Sequence, residues 1–193
     1  MTGRARELRT LIGSFLLSFA VFAFAFGDWR FGLGFVVLIL IHEFGHFAEA
    51  RRQGVHATLP TFVPFIGAYV LIRSDGLAPW RNALIFLAGP FAGGIGAAAV
   101  WAVGSSRGTS WLVELAYYGF LLNAANLLPV GFLDGGGVLR GIRDTWRRPA
   151  IRYENGVPVE ASAPERNRAV EIAVLYGLVA AVLVACAIAT RHS

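Results

Sequence analysis

His42, Glu43 and His46 form an H-E-x-x-H sequence, His42-Glu43-Phe44-Gly45-His46. On a helix, residues four apart share one face about a turn apart. Both imidazoles can therefore reach a single metal ion. Zinc binds such nitrogens at about 2.0–2.1 Å and keeps a water where three protein ligands are used. Glu43 would then stand close enough to take a proton from that water, the general-base role in zinc hydrolysis. The pattern also arises by chance, so its surroundings carry much of the argument.

Those surroundings are apolar. Of 193 residues, 56% are hydrophobic and only 15% charged, against about 25% charged in soluble domains. These figures exclude an ordinary soluble enzyme and a disordered chain. A net charge of +5 suggests a nucleic-acid partner, but the pattern argues against one. All 17 basic residues are arginine, placed at the ends of apolar runs rather than on a patch. That distribution marks a membrane protein. The single cysteine, Cys186, lies inside an apolar run and has no partner within the chain for a disulfide.

A spanning helix needs about 20 mostly apolar residues. Runs that meet this description, or nearly so, predict spans over about 11–26, 31–50, 83–103, 111–128 and 169–190, the fourth broken at Pro129 and continuing to about 145. With the N-terminus in the cytoplasm, fourteen of the 17 arginines fall on the cytoplasmic side and only Arg30, Arg107 and Arg191 outside, as the positive-inside rule requires. Trp29, Trp101 and Trp111 then lie at the outer boundary, and Trp80 and Trp146 at the inner one. The segment 57–75 holds Pro60, Pro64, Gly67 and several aromatic or β-branched residues. It reads as a short hairpin turning near Phe65-Ile66-Gly67. Such backbone survives at membrane depth only against protein or a water-filled cavity; an ordinary cytoplasmic loop is the alternative. Residues 147–168 carry three prolines and read as a solvated cytoplasmic connector. The expected fold is an all-α polytopic membrane protein of about five spans with a membrane-dipping β-hairpin, forming one domain over 1–193.

His42 lies 11 residues beyond Phe31, about 16 Å into a core of about 30 Å. Two histidines and a glutamate at that depth cost several kcal/mol unless paired or coordinated. A third ligand is then needed. Asp134 stands out in Asn126-Leu127-Leu128-Pro129-Val130-Gly131-Phe132-Leu133-Asp134-Gly135. Pro129 cannot continue the helical ladder, and the break can turn Asp134 toward the bundle interior. A carboxylate would complete a His₂-acid site with one open position. A helix N-cap is the alternative role for Asp134.

The two motifs together, His42-Glu43-x-x-His46 and Asn126-x-x-Pro129-x-x-x-x-Asp134-Gly135, resemble the site-2 protease family of intramembrane zinc metalloproteases, M50-like. The resemblance runs from about Phe31 to Arg140 and includes motif order and separation. It implies one zinc ion held by His42, His46 and Asp134, with Glu43 as base. It also assigns Asn126 to positioning substrate or stabilising the oxyanion, a role that suits an amide donor; an interhelical hydrogen bond is the alternative, and Asn123 could share either task. Pro64-Phe65-Ile66-Gly67-Ala68-Tyr69-Val70 is similar to the family's membrane-dipping hairpin, so Phe65, Ile66, Gly67, Ala68 and Tyr69 are implied to accept substrate as an added strand. Leu87-Ala88-Gly89-Pro90-Phe91-Ala92-Gly93 resembles a Gly-Pro segment in which relatives often carry Asn at the position of Gly93. Here close helix packing is expected instead. The resemblance further implies a minimal form without PDZ or CBS modules.

The implied activity is cleavage of single-span membrane proteins in or near their transmembrane segments, in the cell membrane, with the site toward the cytoplasm. Expected partners are those substrates and the lipid bilayer, not nucleic acid, with homo-oligomerisation left open. A non-catalytic zinc scaffold or sensor and a metal transporter are the competing classes. A transporter wants several polar steps, and the outer half offers no relay. A structural zinc site has no use for Glu43. Glu49 is expected to pair with an arginine at the cytoplasmic boundary.

Overall fold

A computed structural model describes residues 3–64, 67–73, 76–147, 151–154, 157–160 and 164–191. Among the described residues, six helices carry the structure: α1 (Gly3–Phe26), α2 (Trp29–Arg52), α3 (Pro79–Arg107), α4 (Ser110–Asn126), α5 (Asp134–Arg147) and α6 (Pro164–Arg191). Between α2 and α3 lie β1 (His56–Ala57), β2 (Thr61–Val63), β3 (Gly67–Tyr69) and β4 (Ile72–Arg73), and between α5 and α6 lie β5 (Ile151–Glu154) and β6 (Val157–Glu160). Among the described residues, α1, α2, α3 and α6 are long and apolar enough to cross a membrane. This is a membrane protein, built of helices with small two-stranded sheets.

Helix α1 ends where Gly27 takes a left-handed φ of 68°. Asp28 then caps α2, accepting from the Arg30 backbone N–H at 2.8 Å and pairing with its guanidinium at 3.1 Å. The two helices return backbone to backbone, because a Cβ at Gly32 would meet the Ala23 main chain at 2.5 Å. Phe22, Phe26, Phe31 and Phe35 close the same end with edge-on ring contacts. The helices run past the apolar windows into arginines at both ends of the bundle, since helical hydrogen bonding continues where hydropathy stops.

Helix α3 is central and packs on α2, α4, α5 and α6. Its small residues make that possible. Gly45 of α2 seats against the Ala88 carbonyl and Ala92, a close crossing of the kind small residues permit.

The fourth predicted span is two helices. Helix α4 stops at Asn126, Leu127 to Leu133 form irregular turns, and α5 starts at Asp134. The carbonyl left free at Leu127 accepts from the Tyr176 hydroxyl of α6 at 2.5 Å, and that of Gly131 accepts from Arg140 at 2.8 Å. Three glycines open α5 because no side chain fits there. A Cβ would strike the Leu127 carbonyl at Gly135, the Val130 carbonyl at Gly136 and the Phe86 ring at Gly137.

The segment after α2 is one long antiparallel hairpin in two pieces. His56 and Ala57 pair with Arg73 and Ile72, then Thr61, Phe62 and Val63 pair with Tyr69, Ala68 and Gly67. The turn expected at Phe65-Ile66 lies outside the described residues. The supposed connector 147–168 differs from expectation. It contains the paired strands β5 and β6, and α6 begins already at Pro164. The missed signal is the Asn-Gly dipeptide between Ile-Arg-Tyr-Glu and Val-Pro-Val-Glu, a strong hairpin marker.

Candidate metal centre

Helix α2 buries one stripe of its second half, Ile39, His42, Glu43, His46 and Ala50. The two histidines stack one turn apart, and the start of α5 faces them. His42 Nε2 lies 3.1 Å from His46 Nε2. Asp134 completes a triangle, with Oδ2 at 3.1 Å from His42 Nε2 and Oδ1 at 3.4 Å from His46 Nε2.

The opposite ring nitrogens each face a carbonyl oxygen. His42 Nδ1 lies 2.8 Å from Asn123 Oδ1 and His46 Nδ1 lies 2.7 Å from the Ile85 carbonyl. Carbonyl oxygens only accept, so each ring carries a proton on Nδ1, which leaves Nε2 as the nitrogen a metal would take. Two imidazole nitrogens and a carboxylate then point at one spot. Asp134 Oδ2 is buried without a hydrogen-bond donor. With both Nε2 atoms unprotonated, such a convergence repels itself unless a cation joins it. A tetrahedral ion at about 2.0–2.1 Å keeps its ligand atoms about 3.3–3.4 Å apart, close to the separations found here. The donor set fits zinc: two imidazoles, one carboxylate and room for a fourth ligand.

That room is a cavity of about 250 Å³. His42, Glu43, His46 and Asp134 form its polar end, and Asn126 lines its wall. Glu43 is 7% exposed. Asn126 donates one amide hydrogen to the Leu122 carbonyl at 3.2 Å. Gly67, Ala68 and Tyr69 of β3 also line the cavity, while no described β2 residue does. Strand β2 backs onto α1 instead, its Phe62 N–H donating to Ser14 Oγ at 3.1 Å. The fold thus brings together His42, Glu43, His46, Asn126, Asp134, Gly67, Ala68 and Tyr69. Phe65 and Ile66 lie outside the described residues.

Other residues at the centre had no clear mark in the sequence. Asn123, fully buried, holds His42 rather than sharing the role given to Asn126. The Ile85 carbonyl holds His46. Gly89 lies under the His46 ring, where a Cβ would collide with Nε2 and Cε1. Phe132, 87% exposed, stands on the cavity rim. Glu49, three residues past His46, binds the Arg52 guanidinium through both oxygens at 2.7 Å, as expected for a boundary pair.

Comparison with known proteins reaches part of this site. The family model described as Peptidase family M50 matches residues 30–112. That stretch contains both histidines and Glu43 but ends before Asn126 and Asp134. A relative described as "Probable zinc metalloprotease EGY1, chloroplastic" from Arabidopsis thaliana is 29% identical over 155 residues, covering 56% of this chain. The chain spans only 28% of that relative's length. No solved structure matches the chain. The chain is thus similar to peptidase family M50 over the stretch that holds the histidine pair, and the fold brings Asp134 onto that pair.

Proposed function

We propose that this protein is a zinc-dependent intramembrane endopeptidase that cuts single-span membrane proteins in or near their transmembrane segments, as a step of regulated intramembrane proteolysis. The observation that carries the reading is the convergence of His42, His46 and Asp134 on one point, with Glu43 in the same cavity. One zinc ion per chain would be held by those three residues. When bound, zinc would polarise the scissile carbonyl and make water nucleophilic near neutral pH.

The chain's own groups do the rest. A carboxylate oxygen of Glu43 takes the proton from the attacking water and delivers it to the leaving nitrogen. Asn126 can turn an amide hydrogen toward the carbonyl oxygen as negative charge develops there. Strand β3 lines the cavity while β2 leans on α1, so an extended substrate would add at β3. Pairing there also holds a substrate helix unwound, exposing peptide bonds otherwise shielded by helical hydrogen bonds.

The arginine distribution supports five crossings in the cell membrane, with the N-terminus in the cytoplasm and α4 with α5 as one interrupted crossing. The centre then lies inside the bilayer toward the cytoplasm. A scaffold or sensor would leave Glu43 without a task. The test is proteomic comparison of membranes from cells carrying wild-type or Glu43→Gln protein. Single-span proteins should accumulate uncut with the variant, and identical membrane proteomes would refute the reading.

A further inference from the structure

Asn123 is fully buried in α4 and contacts a metal-ligating side chain rather than the cavity. We propose that Asn123 is the positioning residue of the centre: its side-chain carbonyl fixes the His42 tautomer that presents Nε2, and Gly93 of α3 lacks a side chain to make room for that amide. The inference rests on the zinc reading above.

Three observations carry it. First, the amide cannot be flipped without loss. Its nitrogen donates to the Gly119 carbonyl at 2.7 Å, which leaves only the oxygen to face His42 Nδ1 at 2.8 Å. An acceptor in that place requires a proton on Nδ1, so the neutral ring presents Nε2 to a metal. Second, the space is shaped for this group. A Cβ on Gly93 would collide with Asn123 Oδ1 and come within 2.6 Å of its Nδ2. The neighbouring Gly94 faces Leu183 instead, so the two glycines serve different contacts. Third, the corresponding lock on His46 is a backbone carbonyl, that of Ile85. Asn123 is therefore the side chain through which the centre's tautomers can be altered.

The test measures zinc affinity by chelator competition on the full chain in detergent, independent of cleavage. Asn123→Leu, similar in volume but with no acceptor, and Gly93→Ala, which displaces the amide, should each weaken zinc binding about 10–100-fold. Asn123→Asp keeps the acceptor for His42 but loses the donor to Gly119, and it should stay within a few-fold of wild type. Equal losses in the Leu and Asp variants would assign Asn123 to helix packing and overturn the inference. So would unchanged affinity in Asn123→Leu. Nitrogen-15 spectra of histidine-labelled, zinc-loaded wild type need no variant to fold. They should show His42 bound through Nε2 with a proton on Nδ1, and ligation through Nδ1 would overturn the proposal. Wild-type protein that holds no zinc would overturn the metal reading and this inference with it, whereas zinc held equally with and without the Asn123 acceptor overturns the inference alone.

Discussion

In Gly89→Ala protein, the added methyl falls on the His46 ring, against Nε2 and Cε1 and within 2.8 Å of Cδ2. Ordinary carbon contacts need about 3.5 Å or more. The ring must therefore retreat by about 1 Å, and it has little freedom to do so. Its Nδ1 is tied to the Ile85 carbonyl at 2.7 Å, and Ile85 belongs to the same helix as Gly89. Metal sites tolerate ligand displacements of about 0.2 Å. A shift about five times larger removes one of three protein ligands from working geometry. Loss of an outer partner alone costs about 10–100-fold in metal affinity, so moving the ligand itself should cost at least about 100-fold, or about 2.7 kcal/mol. Helix propensity works the other way, since alanine is favoured over glycine by about 1 kcal/mol; the fold should persist while zinc is lost. The assay is zinc affinity by chelator competition in detergent, with helix content followed in parallel. Gly177→Ala, where nothing lies within 4 Å of the new methyl, is the control and should bind zinc like wild type. Wild-type zinc affinity in Gly89→Ala would show that His46 is not held against α3 as described.

Glu43→Gln should retain zinc and insert normally, yet lose about 10²–10⁴-fold in cleavage of a single-span substrate; comparable cleavage by the variant would remove Glu43 from the chemistry. Asp134→Ala should lose zinc during purification, read by metal analysis, and full retention would refute the ligand assignment. Asn126→Ala should keep zinc and lower kcat by about 10²–10³-fold, whereas a change confined to KM would reassign it to substrate binding. Tyr176→Phe removes the hydroxyl that satisfies the Leu127 carbonyl and should lower stability by about 1 kcal/mol, seen as a reduced Tm; an unchanged Tm would mean that carbonyl finds another donor.

How much of this was legible in the sequence depended on distance along the chain. His42 and His46 are four residues apart, so helical geometry alone predicts that they share a face. Asp134 was legible because a carboxylate beside a proline break in an apolar run needs a reason to be there. Asn123 and Asn126 were not separable, because the choice depends on how α4 is rotated against α2, 81 positions away from His42 in sequence. Periodicity gives no help there, since α4 is apolar nearly all round. Gly89 and Gly93 read as packing residues and are so, but the groups they accommodate are the His46 ring and the Asn123 amide. Helix ends were placed too short because hydropathy falls at the first arginine while the backbone ladder continues, as at Arg51-Arg52 and Arg107. The β5–β6 pair was missed because prolines and charges were weighed above the Asn-Gly turn signal.

Zinc K-edge absorption on the purified wild-type chain, set beside Asp134→Ala, reaches the central claim most directly. One zinc per chain, bound by nitrogen and oxygen at about 2.0–2.1 Å with the outer-shell scattering of two imidazoles, is the predicted result, and that shell should be lost or altered in the variant. A metal-free wild type, or a first shell unchanged by the loss of Asp134, would contradict it.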